Sequence, residues 1–323
     1  MSLALRTAAL SMLLAAGVLV SRPSSTFAQE SGHAALPASP ARPQADFITP
    51  HISDAHHLEI PWPSLSENLT REIELPRWAP VRVGPISMDL SPTKHVVMML
   101  LAAIICTLLL VAAARSQAHH AINGRPPRGL GNAMEAVVLY LRNEIILPNV
   151  GHHGDAYVPF CLTLFFFILV MNMLGLLPWG SSATGNISVT AMLAICSFVV
   201  VEIAGMRTLG RKYIGTVIYW PGDMALAVKA PITLIMTPVE IISKFTKPLA
   251  LALRLFANMT AGHVLVLALI SLIFTFASWL ILPAPLLAAT AIMVLELFVA
   301  FLQAFVFTLL VSVFIGQIRE SAH

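Results

Sequence analysis

Two runs near the C-terminus constrain this chain more than anything else in it. From Pro231 to Phe276 the residues are mostly apolar, with Pro238 and Pro248 the strong breakers inside the run. "LPAP" (Leu282–Pro285) interrupts, and a second run follows from Leu286 to Ile318. At a rise of about 1.5 Å per residue, these would be helices of about 69 Å and about 50 Å. A bilayer's hydrocarbon core is about 30 Å thick. Two such helices cannot stand upright in it, so they must tilt steeply or project. This hairpin also carries charge: Glu240, Arg254, His263 and Glu296, with the amides Asn258 and Gln303. An arginine at mid-span costs about 2.5–3.5 kcal/mol on translocon scales. Arg254, at the centre of "KPLALALRLFANMTAGHVLVLAL", therefore needs a reason.

Composition makes the membrane setting firm. The chain is 57% hydrophobic and 11% charged, with mean hydropathy +0.82. Soluble domains carry roughly 25% charged residues. Residues 96–114, 156–201 and 264–295 hold no charge at all. The fold class is an all-α polytopic membrane protein, with spans at about 96–114, 157–177 and 187–206 before the hairpin, hence about five membrane helices. Residues 130–147 mix apolar and charged positions at helical spacing and read as a helix lying at the interface, as do residues 213–229. Arg115, Arg125, Arg128 and Arg142 flank one loop region, and Arg207, Arg211, Lys212 and Lys229 another, whereas residues 179–186 hold no basic residue. The positive-inside rule puts the first two in the cytoplasm, with Lys244, Lys247 and Arg319 marking further cytoplasmic ends. The N-terminus is then outside and the C-terminus inside.

The domain plan follows. Residues 1–28 read as a secretory signal: Arg6, then "TAALSMLLAAGVLV", then the small residues of "STFA". An uncleaved first membrane helix is the competing reading. Residues 29–94 form an exported segment with ten prolines and eight acidic against five basic residues. Prolines this dense disfavour helix, and a short strand pair is expected around "REIELP" and "VRVGPISM". Residues 95–206 hold three spans and the interfacial helix, 207–230 are interfacial, 231–318 form the hairpin and 319–323 a cytoplasmic tail. His51, His56, His57, His119, His120, His152 and His153 read as polar surface residues rather than metal ligands. Cys106, Cys161 and Cys196 lie in apolar spans at no metal-ligand spacing and read as buried packing residues. No nucleotide-binding loop, nucleophile elbow, metal motif or cofactor signature occurs, so no catalytic site and no nucleic-acid partner is expected.

Helical arithmetic at 100° per residue sorts the hairpin residues. Asn258 and Glu240 each lie about 40° from Arg254, so the three form one stripe. His263 points about 180° from Arg254. On the second helix Glu296 and Gln303 share a face. Counting from a turn near 276–285, His263 and Glu296 fall at one depth, and Arg254 and Gln303 within about a turn of each other. A histidine beside a carboxylate can exchange protons near neutral pH, whereas arginine stays charged. A proton relay and a structural network that glues helices together both fit this pattern.

"KPLALALRLFANMTAGHVL" followed by "LELFVAFLQAFVFTLL" resembles subunit a of the F-type ATP synthase of bacterial type, the stator subunit of the membrane sector. The likeness runs from about "HISDAH" to the C-terminus and is most specific over 238–313, where R-L-x-x-N-x-x-x-G appears as Arg254, Leu255, Asn258 and Gly262. The resemblance implies that Arg254 faces the acidic residue on each subunit of the rotating c-ring, and that Glu240 belongs to a cytoplasmic half-channel. It also implies that Asn258 and Gln303 lie close to the arginine, and that His263 and Glu296 are the coupled pair of the outer half-channel. Many bacterial members carry acid and histidine at these two positions in the opposite order; here they are exchanged, as in mitochondrial relatives. One departure is Asn186, in the loop before the third span, where the family often has an aspartate. The partners implied are the c-ring, the b subunits of the peripheral stalk, the bilayer and protons, in a bacterial inner membrane. A secondary transporter would need inverted repeats, and none is visible.

Overall fold

The computed structural model describes residues 57–61, 70–77, 81–83, 86–88, 91–123, 129–151, 154–177, 182–218, 226–276 and 282–320. The signal expected over 1–28, and His51, His56, His152 and His153, lie outside them. In the exported segment, β1 (His57–Pro61) pairs antiparallel with β2 (Thr70–Glu74), and β3 (Val81–Val83) with β4 (Ile86–Met88). Strands thus form in both expected places but not with each other. "REIE" pairs with an upstream segment, while "VRV" turns back on its own neighbour "ISM", which a two-residue connection allows between antiparallel strands.

The other elements among the described residues are helical. α1 spans Lys94–Asn123 and α2 spans Leu130–Tyr140, the latter continuing through a π-helical turn, Leu141–Ile146, and a last turn, Leu147–Val150. α3 (Val158–Gly175), α4 (Ile187–Leu209), α5 (Leu226–Phe276) and α6 (Pro283–Glu320) complete it. Among the described residues, five helices are long and apolar enough to cross a membrane. α1 outruns its apolar stretch because "SQAHHAIN" holds no glycine or proline; the next residue, Gly124, is the first breaker. α4 ends at Gly210, whose φ of +53° favours glycine and turns the chain into a 3-10 segment, Gly210–Thr216.

α5 and α6 are the expected overlong hairpin: 51 and 38 residues, or about 76 Å and about 57 Å of helix. Pro231, Pro238 and Pro248 all lie inside α5 without ending it. α6 begins at Pro283, earlier than the sequence suggests, because a proline in the first helical turn gives up an N–H that has no helical partner.

The core is built around α3. In its apolar stretch 83% of residues are buried, against 6% for α5. Phe165, Phe167, Leu164 and Ile168 are fully enclosed, and α3 packs on α1 and α6. Cys106 and Cys161 are buried as expected, but Cys196 is only half-buried, because α4 presents that face outward. At one end of the bundle α6 is locked to the turn after α2. Arg319 Nη1 donates to the Val150 carbonyl at 2.6 Å, and its guanidinium lies over the Tyr157 ring. Gly316 lies directly against the Asn149 carbonyl, where any side chain would collide. At the other end, the 3-10 turn Ala183–Gly185 joins α3 to α4 and packs on α5.

Candidate functional site

The six polar residues of the hairpin separate by exposure. Glu296 and Gln303 on α6 are buried, at 6% and 3% exposure. His263 on α5 is half-buried, and Glu240, Arg254 and Asn258 are exposed. The sequence treats all six as interior. Within the chain three of them face outward, because α5 is covered on one side only, by α4 and α6.

His263 Nδ1 lies 3.8 Å from Glu296 Oε1, so the two share a depth as the count from the turn expects. The separation is that of a charge contact rather than a hydrogen bond. Glu296 Oε1 and His263 Nε2 are both buried and have no hydrogen-bond partner among the described residues. Gly262 makes room for this pair. A Cβ at that position would sit 2.8 Å from the carboxyl carbon of Glu296 and would overlap its oxygen. The glycine of the R-L-x-x-N-x-x-x-G pattern thus has a packing reason one helix away.

At the second polar level the count puts Arg254 within about a turn of Gln303. Asn258, one turn nearer the hairpin turn, takes the bond: its Nδ2 donates to Gln303 Oε1 at 3.1 Å. Arg254 makes no hydrogen bond or ion pair with any described residue. It is a permanent charge, exposed, in the middle of a helix apolar enough to cross a membrane.

α6 is held in rotation by residues the sequence reading left unassigned. Asn172, buried at the end of α3, donates from Nδ2 to the Ala300 carbonyl at 3.1 Å and accepts from Thr184 Oγ1 at 2.9 Å. Thr184 in turn bonds Ser182 at 2.7 Å. Ala300 lies between Glu296 and Gln303, so this network sets which way both point. The available signal was an amide in an otherwise apolar helix. Asn186 also has a local job: its Oδ1 accepts the Ser188 N–H at 2.9 Å, capping α4.

Towards the other end of α5, a cavity of about 470 Å³ opens between α4, the 210–216 turn, α5 and α6. Glu240 lines it, together with Glu202, Lys244 and Gln317. Lys244 Nζ pairs with Glu202 Oε2 at 3.2 Å, each side chain 14% exposed. It also donates to Thr216 Oγ1 at 3.2 Å and sits 4.7 Å above the Tyr213 ring. Lys247 bonds Gln317 at 3.3 Å. Glu240 has no ion pair with any described residue. Glu202 was overlooked because it stands just past a charge-free run and reads as a helix end.

Five membrane-length helices, the last two an overlong hairpin carrying the ionisable residues, define a polytopic membrane protein built around charge at bilayer depth. The family model described as ATP synthase A chain matches residues 96–316. The chain is 38% identical over 299 residues to ATP synthase subunit a 2 of Chlorobaculum tepidum, covering 91% of this chain and 80% of that protein. It is 42% identical over 238 residues to ATP synthase subunit a of Myxococcus xanthus, covering 73% and 75%. With the corresponding protein of Chloroherpeton thalassium the identity is 40% over 245 residues, covering 76% and 70%. The chain belongs to the ATP synthase subunit a family, the proton-translocating, non-catalytic stator subunit of the membrane sector.

Proposed function

We propose that the hairpin provides two offset half-channels that carry protons to and from the carboxylates of the c-ring. The observation that carries this reading is Arg254: exposed, at mid-span, and without a hydrogen bond or ion pair among the described residues. Its desolvation is offset by a carboxylate on another protein, since an opposite charge within about 4–6 Å favours the ionised form of a carboxyl group. Protons enter from the outer side past Glu296 and His263, whose unmet polar atoms suit a group that passes protons on. They reach a ring carboxylate, travel round with it and leave past Glu240 through the cavity. Arg254 stands between the two halves and repels a proton taking the direct route. Asn258 and Gln303, bonded to each other, fix the helices beside it. Each proton moving through 100 mV supplies about 2.3 kcal/mol, and ring rotation passes this to the ATP-forming head.

In this arrangement the chain lies in a bacterial inner membrane beside the c-ring and the peripheral-stalk b subunits. Its N-terminal segment is outside and its C-terminus in the cytoplasm. Support for the orientation comes from the clustering of Arg319, Lys244 and Lys247 with the 210–216 turn and the end of α2, while the turn Ala183–Gly185 holds no basic residue. Arg254→Ala should reduce ATP-driven proton pumping in inverted vesicles to background at normal assembly. Wild-type pumping in that variant would overturn the reading.

A further inference from the structure

Lys244 stands four residues after Glu240 on α5, the spacing and order at which a glutamate and a lysine pair best on one helix. It does not take that partner. Its ammonium is 3.2 Å from Glu202 of α4, with Thr216 and Tyr213 completing its contacts. Glu240 is left exposed, without an ion pair to any described residue, in the lining of the same cavity. We propose that Glu202 is a positioning residue of the exit path: it draws Lys244 away and so keeps the Glu240 carboxylate free to accept and release protons. This rests on the assignment of Glu240 to the cytoplasmic half-channel.

The charges in the cavity lining make the device necessary. From α4 comes Glu202, from the 210–216 turn Lys212, and from α5 Lys244 and Lys247 beside Glu240 itself; α6 adds only neutral groups, Gln317 the most polar. Three cations thus surround two carboxylates. Lys247 is engaged with Gln317 and with the Phe314 ring. Lys244 is the cation with both the reach and the spacing to capture Glu240. The Glu202–Lys244 pair is largely withdrawn from solvent, so it is screened less than an exposed pair and holds its geometry. Were Glu202 neutral, the lysine would lose its strongest partner, and the nearest carboxylate on its own helix face would be the exit residue.

A clamp that merely fastens α4 to α5 would have the same contacts, and charge-neutral variants separate the two roles. Glu202→Gln should slow ATP-driven pumping several-fold in inverted vesicles at matched assembly, because the freed lysine closes on Glu240. Adding Lys244→Met to it removes the capturing cation, and the double variant should recover most of the lost rate. Lys244→Gln alone should pump close to the double variant. A clamp predicts the reverse: the double variant no better than Glu202→Gln, and Lys244→Gln as impaired as either. That pattern, or full pumping in Glu202→Gln, would overturn the proposal. Should Glu202→Gln fail to assemble, Lys244→Gln decides the matter, since strong impairment there would also overturn it. Glu240→Gln is measured alongside. If it pumps normally, the exit assignment itself is wrong. If it is impaired while Glu202→Gln is normal, only the role of Glu202 falls.

Discussion

The two polar levels of the hairpin solve the problem of charge in a membrane in opposite ways. Near the hairpin turn, Glu296 is buried and meets His263 from the facing helix of the same chain. Further along α5, Arg254 is exposed and has no hydrogen bond or ion pair among the described residues. Groups that titrate can be enclosed, because they can shed their charge when no partner is present. Arginine cannot do so, and an enclosed unpaired guanidinium would be prohibitive. Its position on the uncovered side of α5 suits a partner that comes from outside the chain. Under the proposed function, the difference assigns proton handling to groups paired within this subunit and the fixed charge to a pair with a separate subunit.

After the loss of pumping expected of Arg254→Ala, perturbing the internal pair should have the next largest effect on flux. Replacing Glu296 by Gln removes the acid beside His263, and ATP-driven pumping in inverted vesicles should fall steeply. His263→Glu combined with Glu296→His restores one acid and one histidine at nearly the same two places. Because interacting groups share their proton equilibria, the double exchange should pump better than the worse of the two single exchanges. A double exchange no better than either single one would mean that the residues do not function together.

A smaller effect is expected from Gly262→Ala. The added methyl overlaps the Glu296 carboxylate, which sits at the end of a flexible side chain and can swing aside. Assembly should therefore survive while pumping falls several-fold, as the acid leaves its place beside His263. Unchanged pumping would show that the position of this carboxylate does not matter. Smallest is Asn186→Ala, which removes the cap of α4 and costs about 1 kcal/mol of helix stability. It should appear as faster amide hydrogen exchange at Ser188 with pumping intact, and a loss of pumping would give Asn186 a part in proton access.

How far the sequence carries follows from the same physics. An apolar background makes every polar residue conspicuous, so Arg254, His263, Glu296 and Gln303 are legible at once. The His263–Glu296 level is also legible, because both counts from the turn are short. At the second level the same count leaves Asn258 and Gln303 equally far from the turn and Arg254 one helical turn further, in line with the Asn258–Gln303 bond. The covered side of α5 is not legible, since lipid and protein interior both select apolar residues. Nor is the Glu202–Lys244 pair, whose members are 42 residues apart on different helices. The strands lie where the sequence places them but pair differently, Thr70–Glu74 with the upstream His57–Pro61 and Val81–Val83 with Ile86–Met88, because local composition marks a strand without marking its partner.

The central claim is that the outward face of α5 around Arg254 meets an acidic residue of a separate subunit. Ala261 lies seven residues beyond Arg254, about 20° away on the same face, whereas Met259, five residues beyond, is about 140° round. Ala261 is exposed and Met259 is fully buried. Single cysteines at these positions, each combined with a cysteine next to the ring carboxylate, give the most direct measurement. Oxidation in membranes should cross-link Ala261→Cys to the ring subunit and leave Met259→Cys unlinked. Cross-linking at Met259→Cys with none at Ala261→Cys would contradict the account, because the arginine would then face away from the ring.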